Sequence, residues 1–176
     1  MDSLAAALAG DRYALARLLS AVEDGGQEAA AIVEALCPRA GRAHLVGVTG
    51  APGTGKSTLI GQLARHLRAS GQSVAIVAVD PSSPFTGGAL LGDRVRMRDL
   101  TGDPEVFVRS MATRGASGGV ARTTADAALV LDAVGFDVVL IETVGAGQSE
   151  VEVARMTHAT IVVEAPGSGD DVQALK

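Results

Sequence analysis

Eight consecutive residues, Gly50-Ala51-Pro52-Gly53-Thr54-Gly55-Lys56-Ser57, satisfy the pattern G-x-x-x-x-G-K-[ST] at every required position. Glycines at these intervals let the backbone curl until successive N–H groups face a bound phosphate, and a helix starting there adds the positive end of its dipole. Lys56 can then reach the β- and γ-phosphates of a nucleotide, while the Ser57 hydroxyl can ligate Mg²⁺. The lysine is conspicuous, because only Lys56 and Lys176 among the 15 basic residues are lysine. The bland alternative is a glycine-rich turn without function. It is disfavoured by context: an apolar run, His44–Thr49, leads into the loop, and a helical stretch, Ser57–Arg68, leads out of it.

Three acidic residues fall where a magnesium shell can be built. Asp80 ends a second apolar run, Glu142 ends a fourth, and Asp93 sits in the polar segment between them. Ligands of open α/β sheets bind beyond the carboxyl ends of the strands, so Asp80 and Glu142 should both face the Lys56 loop. Either acid taken alone could merely open a turn. After Glu142 come Thr143-Val144-Gly145-Ala146-Gly147-Gln148, a loop whose glycines suit a backbone that moves toward a γ-phosphate. Gln148 either orients water there or faces solvent as the first residue of a helix. A rival chemistry lies in Gly115-Ala116-Ser117-Gly118-Gly119, which fits the G-x-S-x-G elbow of esterases with Asp126 or Asp137 and then His158 downstream. The elbow needs its serine in the sharp turn directly after a strand, and Met111–Gly115 intervene. His44, His66 and His158 lack Cys or His neighbours at ligand spacing, so zinc is unsupported. Thr58 stands where a dinucleotide fingerprint needs its third glycine.

These residues need a scaffold, and the periodicity supplies one. Strands are expected at His44–Thr49, Ser73–Asp80, Val106–Ser110, Asp137–Glu142 and Ala159–Glu164. All but the third are nearly continuous Val/Ile/Leu/Ala runs, as in strands buried on both faces. Helices are expected after Lys56, over Leu90–Leu100, and near Val120–Val134, where Ala127, Val130, Leu131 and Val134 share a face. This order predicts a three-layer α/β/α fold of the P-loop nucleotide-binding kind with a mostly parallel sheet. Ahead of it, residues 1–40 read as a short helical extension: Asp11 caps a helix with Leu15, Leu18, Leu19 and Val22 on one face, and Glu28–Leu36 forms another, ending before Pro38. The nucleotide-binding domain then covers residues 41–176. A chain of 176 residues, 47% hydrophobic and only 20% charged, has material for one sizeable core, which excludes disorder. A single cysteine excludes a disulfide framework, and no apolar run is long enough to span a membrane. A net charge of -5 argues against a nucleic-acid partner. The expectation is a soluble, cytoplasmic protein.

Five motifs in order give the chain a resemblance. Gly50–Thr58, Ala78–Pro84, Gly92–Met97, Arg109–Gly115 and Glu142–Glu150 together resemble the MeaB/ArgK family, P-loop GTPases associated with adenosylcobalamin-dependent methylmalonyl-CoA mutase. The resemblance implies binding and hydrolysis of GTP to GDP with Mg²⁺, coupled to protecting or reloading that mutase. Position by position, it implies that Gly50, Ala51, Pro52, Gly53, Thr54, Gly55, Lys56, Ser57, Thr58 and Gly145 hold nucleotide. It further implies that Ser57, Asp80, Asp93 and Glu142 surround the metal, and that Lys56, Asp93, Glu142 and Gln148 serve turnover. Asp93 falls in a first switch segment and Gly145–Gln148 in a second. Pro166–Lys176 resembles a further mobile segment that faces the partner. The family's Asn-Lys-x-Asp guanine motif and dimerisation helices do not occur within these 176 residues. The expectation is therefore a sheet lacking at least one strand, poor separation of GTP from ATP by this chain, and a homodimer only at full length.

Overall fold

The computed structural model describes residues 2–80, 100, 102–112, 119–143 and 148–165. Three helices come first: α1 (Asp2–Leu8), α2 (Arg12–Asp24) and α3 (Gly26–Leu36), followed by a 3₁₀ turn at Cys37–Arg39. Asp11 starts α2 as its sequence position predicts, its Oδ1 accepting from the N–H groups of Tyr13 at 2.8 Å and Ala14 at 3.0 Å. Then come β1 (His44–Thr49), α4 (Lys56–Ala69), β2 (Val74–Asp80), β3 (Val106–Ala112), α5 (Gly119–Val134), β4 (Val138–Thr143), α6 (Gln148–Met156) and β5 (Ala159–Val162). The expected helix over Leu90–Leu100 lies outside the described residues except at Leu100. No helix among the described residues is long and apolar enough to cross a membrane.

The five strands form one sheet in the order β3-β2-β4-β1-β5, with every pairing parallel. Alternation sends Val46, Val48, Ile76 and Leu140 to one face, where Ile60 and Ala64 of α4 cover them. Val77, Val79, Val139 and Ile141 go to the other face, against Leu15, Leu18, Leu19 and Val22 of α2 and Ala127, Val130 and Leu131 of α5. The three-layer α/β/α arrangement of the P-loop fold class is thus present. The helical residues 2–36 join the same apolar cluster as the sheet, and two arginines fasten them to β3. The Arg12 guanidinium donates to the carbonyls of Asp103, Pro104 and Val106. Arg109 of β3 reaches back to Glu23 Oε2 at 2.6 Å and Ser20 Oγ at 3.1 Å.

One expectation fails. The composition of the fifth run predicts a strand buried on both faces, but β5 is mostly exposed, with Val162 at 62%. It pairs only with β1, so it is an edge among the described residues, whereas β4, with neighbours on both sides, is buried throughout. An unbroken apolar run marks a strand but not its place in the sheet.

Candidate functional site

The phosphate-binding loop sits where β1 ends and α4 begins. Gly50 has φ +137°, and a Cβ there would lie 2.0 Å from the carbonyl oxygen of Val163. No side chain fits. Val163 in turn donates its N–H to Thr49 at 2.8 Å, so the loop departs from a fixed point between β1 and the end of β5. Gly55, in the left-handed region at φ +94°, caps α4 without offering a side-chain acceptor, and no acid occupies the helix's first turn. The N–H groups and dipole of this helix end are therefore left to attract an anion.

Lys56 is buried, and its Nζ donates to the carbonyls of Gly50 at 2.8 Å and Ala51 at 2.9 Å. The loop folds over its own cation. Thr54 Oγ1 tightens the same turn by donating to Ala51 at 2.9 Å. Next along α4, Ser57 Oγ donates to Glu142 Oε1 at 2.7 Å across 85 residues of sequence. Glu142 is 3% exposed, and its pairing with Val48 and Ala78 places it in the middle of the sheet at the carboxyl end of β4. Two predicted residues from distant motifs are thereby brought together. Below them, Thr143 Oγ1 donates to Thr49 Oγ1 at 3.0 Å, both residues being buried, and so ties the ends of β4 and β1.

The other predicted residues are placed less fully. Asp80 is the last residue of β2, two beyond Ala78, which pairs with Glu142. Gln148 is the first residue of α6. The side chains of Asp80 and Gln148, and all of Asp93 and Gly145, lie outside the described residues. Ala51, Pro52, Gly53 and Thr58 line the loop and the first turn of α4, mostly exposed. Among the described residues no three His, Cys, Asp or Glu side chains form a ligand cluster.

Residues 15–176 match the family described as "Methylmalonyl Co-A mutase-associated GTPase MeaB". The chain belongs to the MeaB family. A Pyrococcus horikoshii relative is 52% identical over 167 residues, which is 95% of this chain and 53% of its own length. The Escherichia coli GTPase ArgK is 42% identical over 171 residues, 95% of this chain and 52% of its own. A crystal structure of a LAO/AO transport system kinase superposes with a TM-score of 0.73 at 31% identity, covering 92% of this chain and 48% of that one. The MeaB-family chain therefore spans about half the length of these relatives.

Two described partners of the rival esterase reading in this MeaB-family chain, Asp137 and His158, lie at the opposite end of the sheet. Asp137, a candidate partner of the esterase reading, precedes β4 and accepts from the Ser73 N–H at 2.7 Å and its hydroxyl at 2.8 Å. These two donors, the backbone N–H first, hold its carboxyl below the usual carboxylate range. His158 precedes β5, where its Nδ1 accepts from the Leu45 N–H at 3.0 Å. Neither residue reaches the carboxyl ends of the strands, and Gly115–Gly118 lie outside the described residues. Sequence reasoning missed Thr49, Thr143 and Asp132. A lone acid on the apolar side of α5, between Leu131 and Ala133, was the available signal for Asp132.

Proposed function

We propose that the MeaB-family chain binds GTP with Mg²⁺ and hydrolyses it to GDP, in the service of protecting or reloading an adenosylcobalamin-dependent methylmalonyl-CoA mutase. One observation carries the reading: Lys56 and Ser57 open a helix without a side-chain cap, with Ser57 bonded to the buried Glu142. Hydroxyl and carboxylate oxygens are the hard donors that Mg²⁺ prefers, so the residues present fit the ion. Ser57 and Glu142 would hold it, with Asp80 and Asp93 as further candidates; when bound, it neutralises charge on the phosphates. The Lys56 ammonium offsets phosphate charge inside a shell of backbone donors, and the first-turn N–H groups of α4 orient the anion. Gln148 positions the attacking water. Phosphoryl transfer leaves little covalent work for the protein, so placement and charge decide the rate.

The family description supports the mutase as partner. The same reading makes the full-length form a cytoplasmic homodimer. The deciding measurement is phosphate release under GTP or ATP, in magnesium or chelator, with and without the mutase. Magnesium-dependent release from GTP, altered by the mutase, is expected. Nucleotide binding without release would reduce the chain to a binding module, and faster release from ATP than from GTP would favour an ATPase.

A further inference from the structure

We infer that Gly47, in the middle of β1, is a positioning residue: it is the seat that fixes α6, and with it Gln148, relative to the phosphate loop. A Cβ at Gly47 would lie 2.7 Å from Val153 Cγ1 and 3.2 Å from Thr157 Oγ1, against 3.4 Å or more for ordinary contact. The helix thus rests directly on strand backbone. Neither neighbour can yield cheaply. Val153 is β-branched, stiff at χ1 and only 4% exposed. Thr157 Oγ1 donates to the Val153 carbonyl at 2.9 Å and lies 3.1 Å from Thr160 Oγ1.

The strand cannot retreat either. Gly47 pairs with Ile141 of β4 on one side and Thr160 of β5 on the other, so its backbone is held from both directions. Any side chain at this position must therefore lift α6. That helix begins at Gln148, five residues after Thr143, whose hydroxyl is bonded to Thr49 beside the loop. A lift of the helix changes where its first turn sits, while β1, the loop and α4 keep their packing on the opposite face. Misplacement of a reacting group by about 1 Å can cost about 100-fold in rate. The inference rests on the proposed hydrolysis for its catalytic consequence, but not for its structural one.

The test compares wild type, Gly47→Ala, Val153→Ala and the double variant in the full chain, by amide hydrogen exchange, GTP affinity and single-turnover phosphate release. In Gly47→Ala, exchange in α6 should rise at least tenfold and phosphate release fall tenfold to a hundredfold, while GTP affinity stays within threefold. Adding Val153→Ala, which removes the clashing Cγ1, should recover most of both losses. If Gly47→Ala does not accumulate as folded protein, Val153→Ala alone decides. It opens a gap over Gly47 and should loosen α6 and slow release, with exchange in α4 unchanged. Unaltered α6 exchange in both single variants would overturn the inference, as would slowed release that the double variant fails to recover. If wild type releases no phosphate, the hydrolysis reading falls, and the exchange pattern still decides whether Gly47 seats α6.

Discussion

Asp132 should be worth more to this fold than any surface charge, and removing it is a sharp test of how β1 is aimed. Its carboxylate, 7% exposed on α5, accepts from three successive backbone N–H groups: Gly41 at Oδ2, and Arg42 at 3.0 Å and Ala43 at 2.8 Å at Oδ1. Those residues lead directly into β1. Hydrogen bonds to a charged group each contribute about 1.5–3 kcal/mol, and a buried donor left without a partner costs about 1–3 kcal/mol. Gly41 and Arg42 are exposed, so water can replace the carboxylate there; the Ala43 N–H is buried and would be orphaned. Asp132→Ala should therefore lose roughly 3–5 kcal/mol, a large share of the ~5–15 kcal/mol typical of a domain. At about 2–4 °C per kcal/mol for a chain of this size, Tm should fall by about 6–20 °C. Asp132→Asn keeps one acceptor for Arg42 and Ala43 but turns an amide N–H toward Gly41, and should lose about half as much. Urea unfolding followed by circular dichroism measures both. A loss below about 1 kcal/mol for Asp132→Ala, with m unchanged, would refute the claim that this carboxylate holds the turn.

Three further outcomes are expected. Lys56→Ala removes the buried loop cation that would contact the β- and γ-phosphates, and should weaken GTP binding at least about 100-fold in a GTP titration with magnesium present, since two charge-assisted contacts to phosphate are together worth ~3 kcal/mol or more. Glu142→Gln can still accept from Ser57 but carries no charge, so GTP affinity should change less than tenfold while phosphate release falls about 100-fold or more. Because the Asp137 carboxyl lies below its usual range in the folded chain, its stabilisation is complete above the ordinary carboxylate pKa near 4 and is lost as pH falls below it. Urea midpoints between pH 2 and 7 should show a shallower acid decline in Asp137→Asn than in wild type.

The fold was legible wherever a pattern had only one structural meaning. Glycines at 50, 53 and 55 with Lys56 and Ser57 demanded a strand-to-helix turn, and the turn is there with positive φ at all three glycines. Asp11 before a 3.6-residue apolar period demanded a helix start, and its side chain caps one. Glu142 was legible as a strand-end acid, but its bond to Ser57 was not, because nothing local connects residues 85 positions apart. Asp132 was hidden for a related reason: its value lies in donors on another segment. Gly47 carried a signal, since glycine within an apolar strand marks a close approach of another segment. The identity of that segment, α6, depended on the sheet order.

That order also explains a division of labour among the described carboxylates. Parallel strands put all their amino ends on one side, where exposed turns present unpaired N–H groups. The carboxylates there are spent on structure: Asp132 on residues 41–43, Asp137 on Ser73, and Asp103 on Arg68 at 3.0 Å and the Glu105 N–H at 2.8 Å. Asp103 is accordingly held below its usual range, mainly by Arg68, which projects from the far end of α4. The helix that begins at the phosphate loop is thus anchored at its other end to the turn before β3, the same turn that Arg12 grips from α2. Substitutions at Asp103 or Asp137 should consequently alter unfolding midpoints and leave GTP affinity of the folded chain unchanged. Glu142→Gln, at the described carboxylate that accepts from the loop-helix serine, should instead slow phosphate release, with GTP affinity changed less than tenfold.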